Sequence, residues 1–291
     1  MTKSITVGFD GSQSSTEAVR WAADQAESRG ASLRIITCFQ VPVTSAALVG
    51  YAYGDALTSI DEATREQVRN VAESTIAGHP GLAVTWDVSS GPPDLVLSDG
   101  LESDDLVVVG SSRHEHAAAF WLGNTPRSLI RHSHCPVAVV RGAATGARPE
   151  RVVVGVDGST AAVRALDWAG DEADRQHAQL IVVHGWIYPY IELDSHTGRA
   201  RDLTKVDAAC TLDKAIERAA ERFATAPTPC LVEASAPSAL LETVRDGDLL
   251  VLGSRGRGAV SSAIFGSTVN TVLEQSAVPV IVVPPVEDES S

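Results

Sequence analysis

Apolar positions along this chain fall into two kinds of run that alternate. Short unbroken runs, at 5–10, 33–38, 105–109 and 137–140 and again at 152–157, 180–185, 248–252 and 280–283, have the length and the β-branched content of strands covered on both faces. Between them stand segments with Ala and Trp at helical spacing, such as Ala18, Trp21, Ala22 and Ala26, opened by Ser12 and closed by Gly30. Further helices are expected near 58–77 and 204–225, strands near 82–88 and 230–234, and a third helix after each of those strands. Strand and helix in regular turn predict an α/β fold, a parallel sheet with helices on both faces and right-handed crossovers.

The pattern is written twice. Ile5-Thr6-Val7-Gly8-Phe9-Asp10-Gly11-Ser12 returns 147 positions later as Val152-Val153-Val154-Gly155-Val156-Asp157-Gly158-Ser159. Ala18, Trp21, Ala22, Asp24, Ala26 and Leu33 recur as Ala165, Trp168, Ala169, Asp171, Ala173 and Leu180. From Gly110 to Val140 the second copy follows at an offset of 143, Gly253 to Val283, so its middle is slightly shorter. Two domains are expected, 1–142 and 150–286, joined by the Gly/Ala/Pro stretch around Gly142 to Pro149.

Composition narrows the function. The 291 residues are 44% hydrophobic, enough for two cores, and no apolar run approaches the ~20 residues of a bilayer span. Met1-Thr2-Lys3-Ser4-Ile5 leads straight into a strand, so a cytoplasmic protein is expected. A net charge of −14 argues against nucleic acid and anionic membranes as partners, and any phosphate must be held locally. Cys38, Cys135, Cys210 and Cys230 show no CxxC spacing and read as reduced thiols.

Local phosphate chemistry is offered where Asp248-Leu249-Leu250-Val251-Leu252 gives way to Gly253-Ser254-Arg255-Gly256-Arg257-Gly258. Glycines there can take positive φ or let backbone N–H groups approach an anion closely. Gly266-Ser267-Thr268 follows as a helix start, whose open N–H groups and positive dipole end also favour phosphate. In a sheet of this kind ligands lie beyond the carboxyl ends of the strands, where Asp10 and Asp157 end the first strand of each copy and face the glycine loops. Each Asp can equally serve as an Asp-Gly turn that caps the next helix.

The strand-Asp-Gly-Ser opening together with G-x-x-G-x9-G-[ST] after the fourth strand resembles the universal stress protein family, in its tandem two-domain form, over nearly the whole chain. The resemblance implies two open five-stranded parallel sheets of order 3-2-1-4-5, adenine nucleotide alpha hydrolase-like, with ATP and Mg²⁺ as ligands. It gives Asp157 a place at the adenosine end, gives Gly185, beside His184, backbone contacts to adenine, and wraps Gly253, Arg255, Gly256, Arg257 and Gly258 around the phosphates. Ser267 and Thr268 would close on the outer phosphates or on Mg²⁺. The family's last-strand edges pair across a two-fold, which implies an internal pseudo-dimer, Val137 to Val140 with Val280 to Val283, and a homodimer built on it.

The first copy departs from the motif. Asp10, Gly110, Ser111 and Gly123 are kept, but Arg113 stands for the second glycine and Asn124 for the serine. Arg113 obstructs close approach and Glu115 adds repulsion, while Arg113 also brings a cation and Asn124 can cap a helix. ATP is therefore expected to bind more tightly in the C-terminal half. No Walker-type lysine follows Gly266-Ser267-Thr268, so a regulatory nucleotide-binding protein is expected, with slow hydrolysis left open. The alternatives are an adenylate-handling enzyme, whose Ser-Gly-Gly or His-x-Gly-His signatures this chain lacks, and a nucleotide-free scaffold. His114, His116, His132, His134 and Cys135 read as loop residues rather than metal ligands, and the Trp21/Trp168 pair as core.

Overall fold

The computed structural model describes residues 3–39, 54–111, 123–141, 148–188, 197–256 and 266–285. They form two units, one up to Arg141 and one from Arg148. Unit one runs β1 (Ser4–Gly8), α1 (Gln13–Arg29), β2 (Ser32–Phe39), α2 (Gly54–Gly78), β3 (Val84–Ser90), α3 (Pro93–Ser98), β4 (Leu106–Gly110), α4 (Asn124–His132) and β5 (Val137–Val140). Unit two repeats it as β6 (Arg151–Gly155), α5 (Thr160–Gln176), β7 (Gln179–Gly185), α6 (Thr197–Arg222), β8 (Pro227–Val232), α7 (Ala236–Thr243), β9 (Leu249–Gly253), α8 (Ser267–Gln275) and β10 (Val280–Val283). All strand pairs within a unit are parallel. Their order is β3-β2-β1-β4-β5 in the first and β8-β7-β6-β9-β10 in the second, which is 3-2-1-4-5 in each.

The unbroken apolar runs are strands buried on both faces: Ile5, Thr6 and Val7, Leu106 to Val108, and Val152 to Val154 are all within 1% of complete burial. Ala18, Ala22 and Ala26 of α1, and Ala165, Ala169 and Ala173 of α5, are fully buried. These small side chains let each helix lie close on its sheet. Trp21 is buried, whereas its counterpart Trp168 is only half-buried, a correction to the expectation that both are core. α1 ends as expected at Gly30 in the left-handed region, φ 63°, and α5 makes the same turn on His177, φ 55°.

At the amino ends of the central strands an aspartate ties each unit together. Asp105 accepts the Ser4 N–H at 2.9 Å and the Glu102 N–H at 3.0 Å. Asp248 accepts the Arg245 N–H at 2.7 Å and pairs with Arg151, whose Nε lies 3.0 Å from Oδ1. This leaves the opposite, carboxyl ends of β1 and β4, and of β6 and β9, free to build a site.

The expected strand at 230–234 is found at Pro227–Val232, and that at 82–88 at Val84–Ser90. Pro227 and Pro229 carry no N–H, and β8 tolerates them because it is the outer strand of its unit, where alternate residues need none.

Candidate functional site

The first strand of each unit ends in a tight turn. Gly11 and Gly158 take φ 79° and 78°, and the carboxylate before each folds back: Ser12 N–H donates to Asp10 Oδ1 at 3.0 Å and Ser159 N–H to Asp157 Oδ1 at 2.9 Å. Ser12 and Ser159 then cap the next helix by accepting the Ser15 and Ala162 N–H groups at 3.1 and 3.2 Å. Both aspartates therefore hold a turn and also line a cleft. Burial pushes Asp10 up, yet its hydrogen bonds from Ser12 and Ser15 outweigh that and hold the carboxyl below its ordinary value.

In unit two a cleft of about 320 Å³ opens between the ends of β6 and β9. The expected Asp157, Gly185, Gly253, Arg255, Gly256, Gly266, Ser267 and Thr268 all line it. Arg257 and Gly258 lie outside the described residues. Sequence reasoning missed the apolar walls, Val156, Val183, Ala236, Leu240 and Leu252, which were read only as strand interior or helix. It also missed what His184 does: Nδ1 donates to the Val156 carbonyl at 2.6 Å, fixing the tautomer beside Gly185.

The glycines act through closeness, not through φ. Gly253, Gly256 and Gly266 are not in the left-handed region, so of the two uses of glycine expected there it is close approach that Gly253 and Gly256 serve. A Cβ on Gly253 would lie 2.6 Å from the Ala161 carbonyl carbon, and one on Gly110 would lie 2.5 Å from the Ser14 oxygen. Those two glycines seat the first helix of each unit against its fourth strand. Gly256 differs: its Cβ would meet Asp157 Oδ2 at 2.6 Å, so the loop rests directly on the carboxylate at the cleft floor.

The helix that closes the cleft begins at Gly266, which offers no side-chain cap, so Ser267 and Thr268 occupy its first turn with backbone N–H groups uncapped by a side chain. With Arg255 in the wall this gives donors and a cation in one concavity, a donor set that fits a phosphorylated ligand.

Unit one has the corresponding cleft, about 280 Å³, with Asp10, Gly110, Ser111 and Gly123 in its lining. Asn124 is not in the wall and does not cap α4; Gly123 is the N-cap, so the expected Asn cap is corrected. Pro126 stands where unit two has Val269 and removes one N–H from the first turn of α4. Cys38 takes the place of Gly185, its thiol pushed up to about 11 by burial and by Asp87. Among the described lining residues no Lys, Arg or His is present, and Arg113 lies outside the described residues. Also among the described residues, no three His, Cys, Asp or Glu side chains gather as a metal site, and no helix is long and apolar enough to cross a membrane.

The model of the universal stress protein family matches residues 1–141 and 149–284. The chain belongs to the universal stress protein family. A universal stress protein of Mycolicibacterium smegmatis is 31% identical over 295 residues, covering 97% of each chain. One from Mycobacterium tuberculosis is 30% identical over 285 residues, covering 96% of each. The crystal structure of a universal stress protein from Archaeoglobus fulgidus superposes with a TM-score of 0.72 at 19% identity, over 97% of this chain and 98% of that one, so the fold is shared. The two clefts of this universal stress protein thus sit at equivalent places in two copies of one family domain.

Proposed function

We propose that this universal stress protein is a nucleotide-dependent regulator that holds ATP, with Mg²⁺, in the cleft of unit two, and holds it more weakly or not at all in unit one. The observation that carries the reading is Gly256 lying on Asp157, because it closes a glycine backbone over a carboxylate that lines the cleft. A ribose hydroxyl can donate to that carboxylate, while Arg255 and the first-turn N–H groups of Ser267 and Thr268 face the phosphates. Gly185 lets the start of α7 pack close on β7, since a Cβ there would lie 3.0 Å from Ala234 O, Ala236 Cα and Ala239 Cβ, and its backbone stays in the cleft wall for adenine.

Unit one supports the asymmetric half of the reading. Arg113 replaces the glycine that rests on the aspartate, Pro126 withdraws a donor, and the described lining carries an acidic Asp10 without a cation. Calorimetric titration of the full chain with ATP and Mg²⁺ tests both claims. The expected result is one tight site per chain, lost in Gly256→Arg and kept in Arg113→Ala. Two equal sites would refute the asymmetry, and no heat together with no nucleotide released on denaturation would refute ATP binding.

A further inference from the structure

The two units also differ at their outer strands. Leu33 N–H donates to the Ala83 carbonyl, and the parallel register pairs Leu33 with Val84 and Ile35 with Trp86. In a parallel ladder this turns the backbone groups of Thr85 and Asp87 toward β2 and those of Val84, Trp86 and Val88 outward. Val88 N–H is taken by Asp87 Oδ1 at 2.9 Å, so the edge is blunted there. Among the described residues no acceptor meets the N–H groups of Val84 and Trp86, and Trp86 is 37% exposed.

In unit two the register places Pro227 opposite Leu180 and Pro229 opposite Val182. These are the same outward positions, since Leu180 and Val182 are the copies of Leu33 and Ile35. Both donors that are open on β3 are therefore absent on β8, the usual way an edge is protected.

We propose that the outer edge of β3 pairs with itself: two copies of the chain join β3 to β3, antiparallel, about a two-fold axis at Thr85, with Val84 of each facing Trp86 of the other. This register uses the two open N–H groups and leaves Val88 to Asp87. It sets Trp86 beside the partner's Val84 on one face, an aromatic and β-branched pair of the favoured kind, and puts Asp87 opposite Ala83 of the partner subunit rather than against another charge. A second copy is the occupant the edge fits, because the pattern is self-complementary and its counterpart is closed by proline. Two open edges would string copies into a polymer, whereas one closes at two. The last-strand edges expected to pair from the sequence are different ones.

The test uses the full chain in a Cys210→Ser background, which removes the exposed native thiol. Thr85 residues would face each other as a non-hydrogen-bonded pair, close enough for a disulfide. Thr85→Cys should give a covalent dimer on mild oxidation, Asp87→Cys should not, and adding Trp86→Pro to Thr85→Cys should abolish the crosslink. Trp86→Pro removes an N–H without an acceptor, so its circular dichroism and ATP titration should match the parent. Absence of crosslinking by Thr85→Cys, equal crosslinking from Asp87→Cys, survival of the crosslink with Trp86→Pro, or a mixed disulfide with a foreign peptide would each overturn the proposal.

Discussion

Substituting Gly256 by alanine puts the proposed site under a local and calculable stress. The new Cβ would lie 2.6 Å from Asp157 Oδ2, whereas ordinary contact begins near 3.4 Å, so about 0.8 Å of separation must be found. If Asp157 turns away, it gives up the 2.9 Å bond from Ser159 N–H, which lowers stability, and its proposed bond from a ribose hydroxyl, a charge-assisted bond of about 1.5–3 kcal/mol. If the loop retreats instead, its backbone leaves the phosphates. At 1.4 kcal/mol per tenfold either route weakens ATP about 10- to 100-fold. Calorimetric titration reads that loss, and urea denaturation without nucleotide reads the same clash in the folded protein. A double-mutant cycle isolates the cause: in an Asp157→Ala background the Gly256→Ala change should cost almost no stability, because the atom it strikes is gone. Unchanged ATP affinity in Gly256→Ala, or an equal stability loss in both backgrounds, would refute the reasoning.

Other positions can be tested on stability alone. His177 holds the left-handed turn that Gly30 holds in unit one; relief of about 1–2 kcal/mol of strain, less about 0.5–1 for the freer unfolded chain, leaves His177→Gly about 0.5–1 kcal/mol more stable in urea titration. Gly170→Ala should lose about 1–3 kcal/mol despite a better helix former, because its Cβ would run into the Phe223 ring; a gain would show that the ring yields freely. Asp174 accepts the Thr225 and Ala224 N–H groups at 2.7 and 2.9 Å. Burial raises its pKa, but these bonds outweigh that and leave it below the ordinary 3.8. The folded value is the lower one, so the stabilisation is present above pH 3.8 and is lost as pH falls through the folded value. Asp174→Asn should therefore be less stable than the parent at pH 7, and the difference should shrink as pH falls below 3.8 through the folded value, as followed by denaturation at each pH.

Much of the fold was legible because burial on both faces leaves an unmistakable mark. Val152 to Val154 and Leu106 to Val108 read as strands without help from neighbours, and the internal repeat confirmed their order. The outer strands were harder, since only one side of each is paired. Pro227 and Pro229 look like breakers until it is known that their nitrogens point away from β7. Likewise the end of α5 was hidden because His177, not glycine, makes the turn.

The site shows which part of a glycine motif a sequence can assign and which it cannot. Position in the chain located the cleft, since a loop after the fourth strand must meet the end of the first. The physical role of each glycine needed coordinates, because φ and close approach both select the same residue type. Yet the two copies already separate the roles. Gly110 and Gly253 survive in both, as expected of glycines that seat a helix on a strand, while Gly256 is replaced by Arg113 in the copy whose cleft has also acquired Pro126 and Cys38. The same contrast holds at the outer edge, where Val84 and Trp86 stand against Pro227 and Pro229. Within one chain, positions that differ between the copies mark where the proposed tasks diverge: the proposed nucleotide cleft in the second unit, the proposed self-pairing edge in the first. If that division is correct, Gly256→Arg should leave the Thr85→Cys crosslink intact, and Trp86→Pro should leave ATP affinity intact. Loss of both properties from either single change would show that the two units do not divide the work.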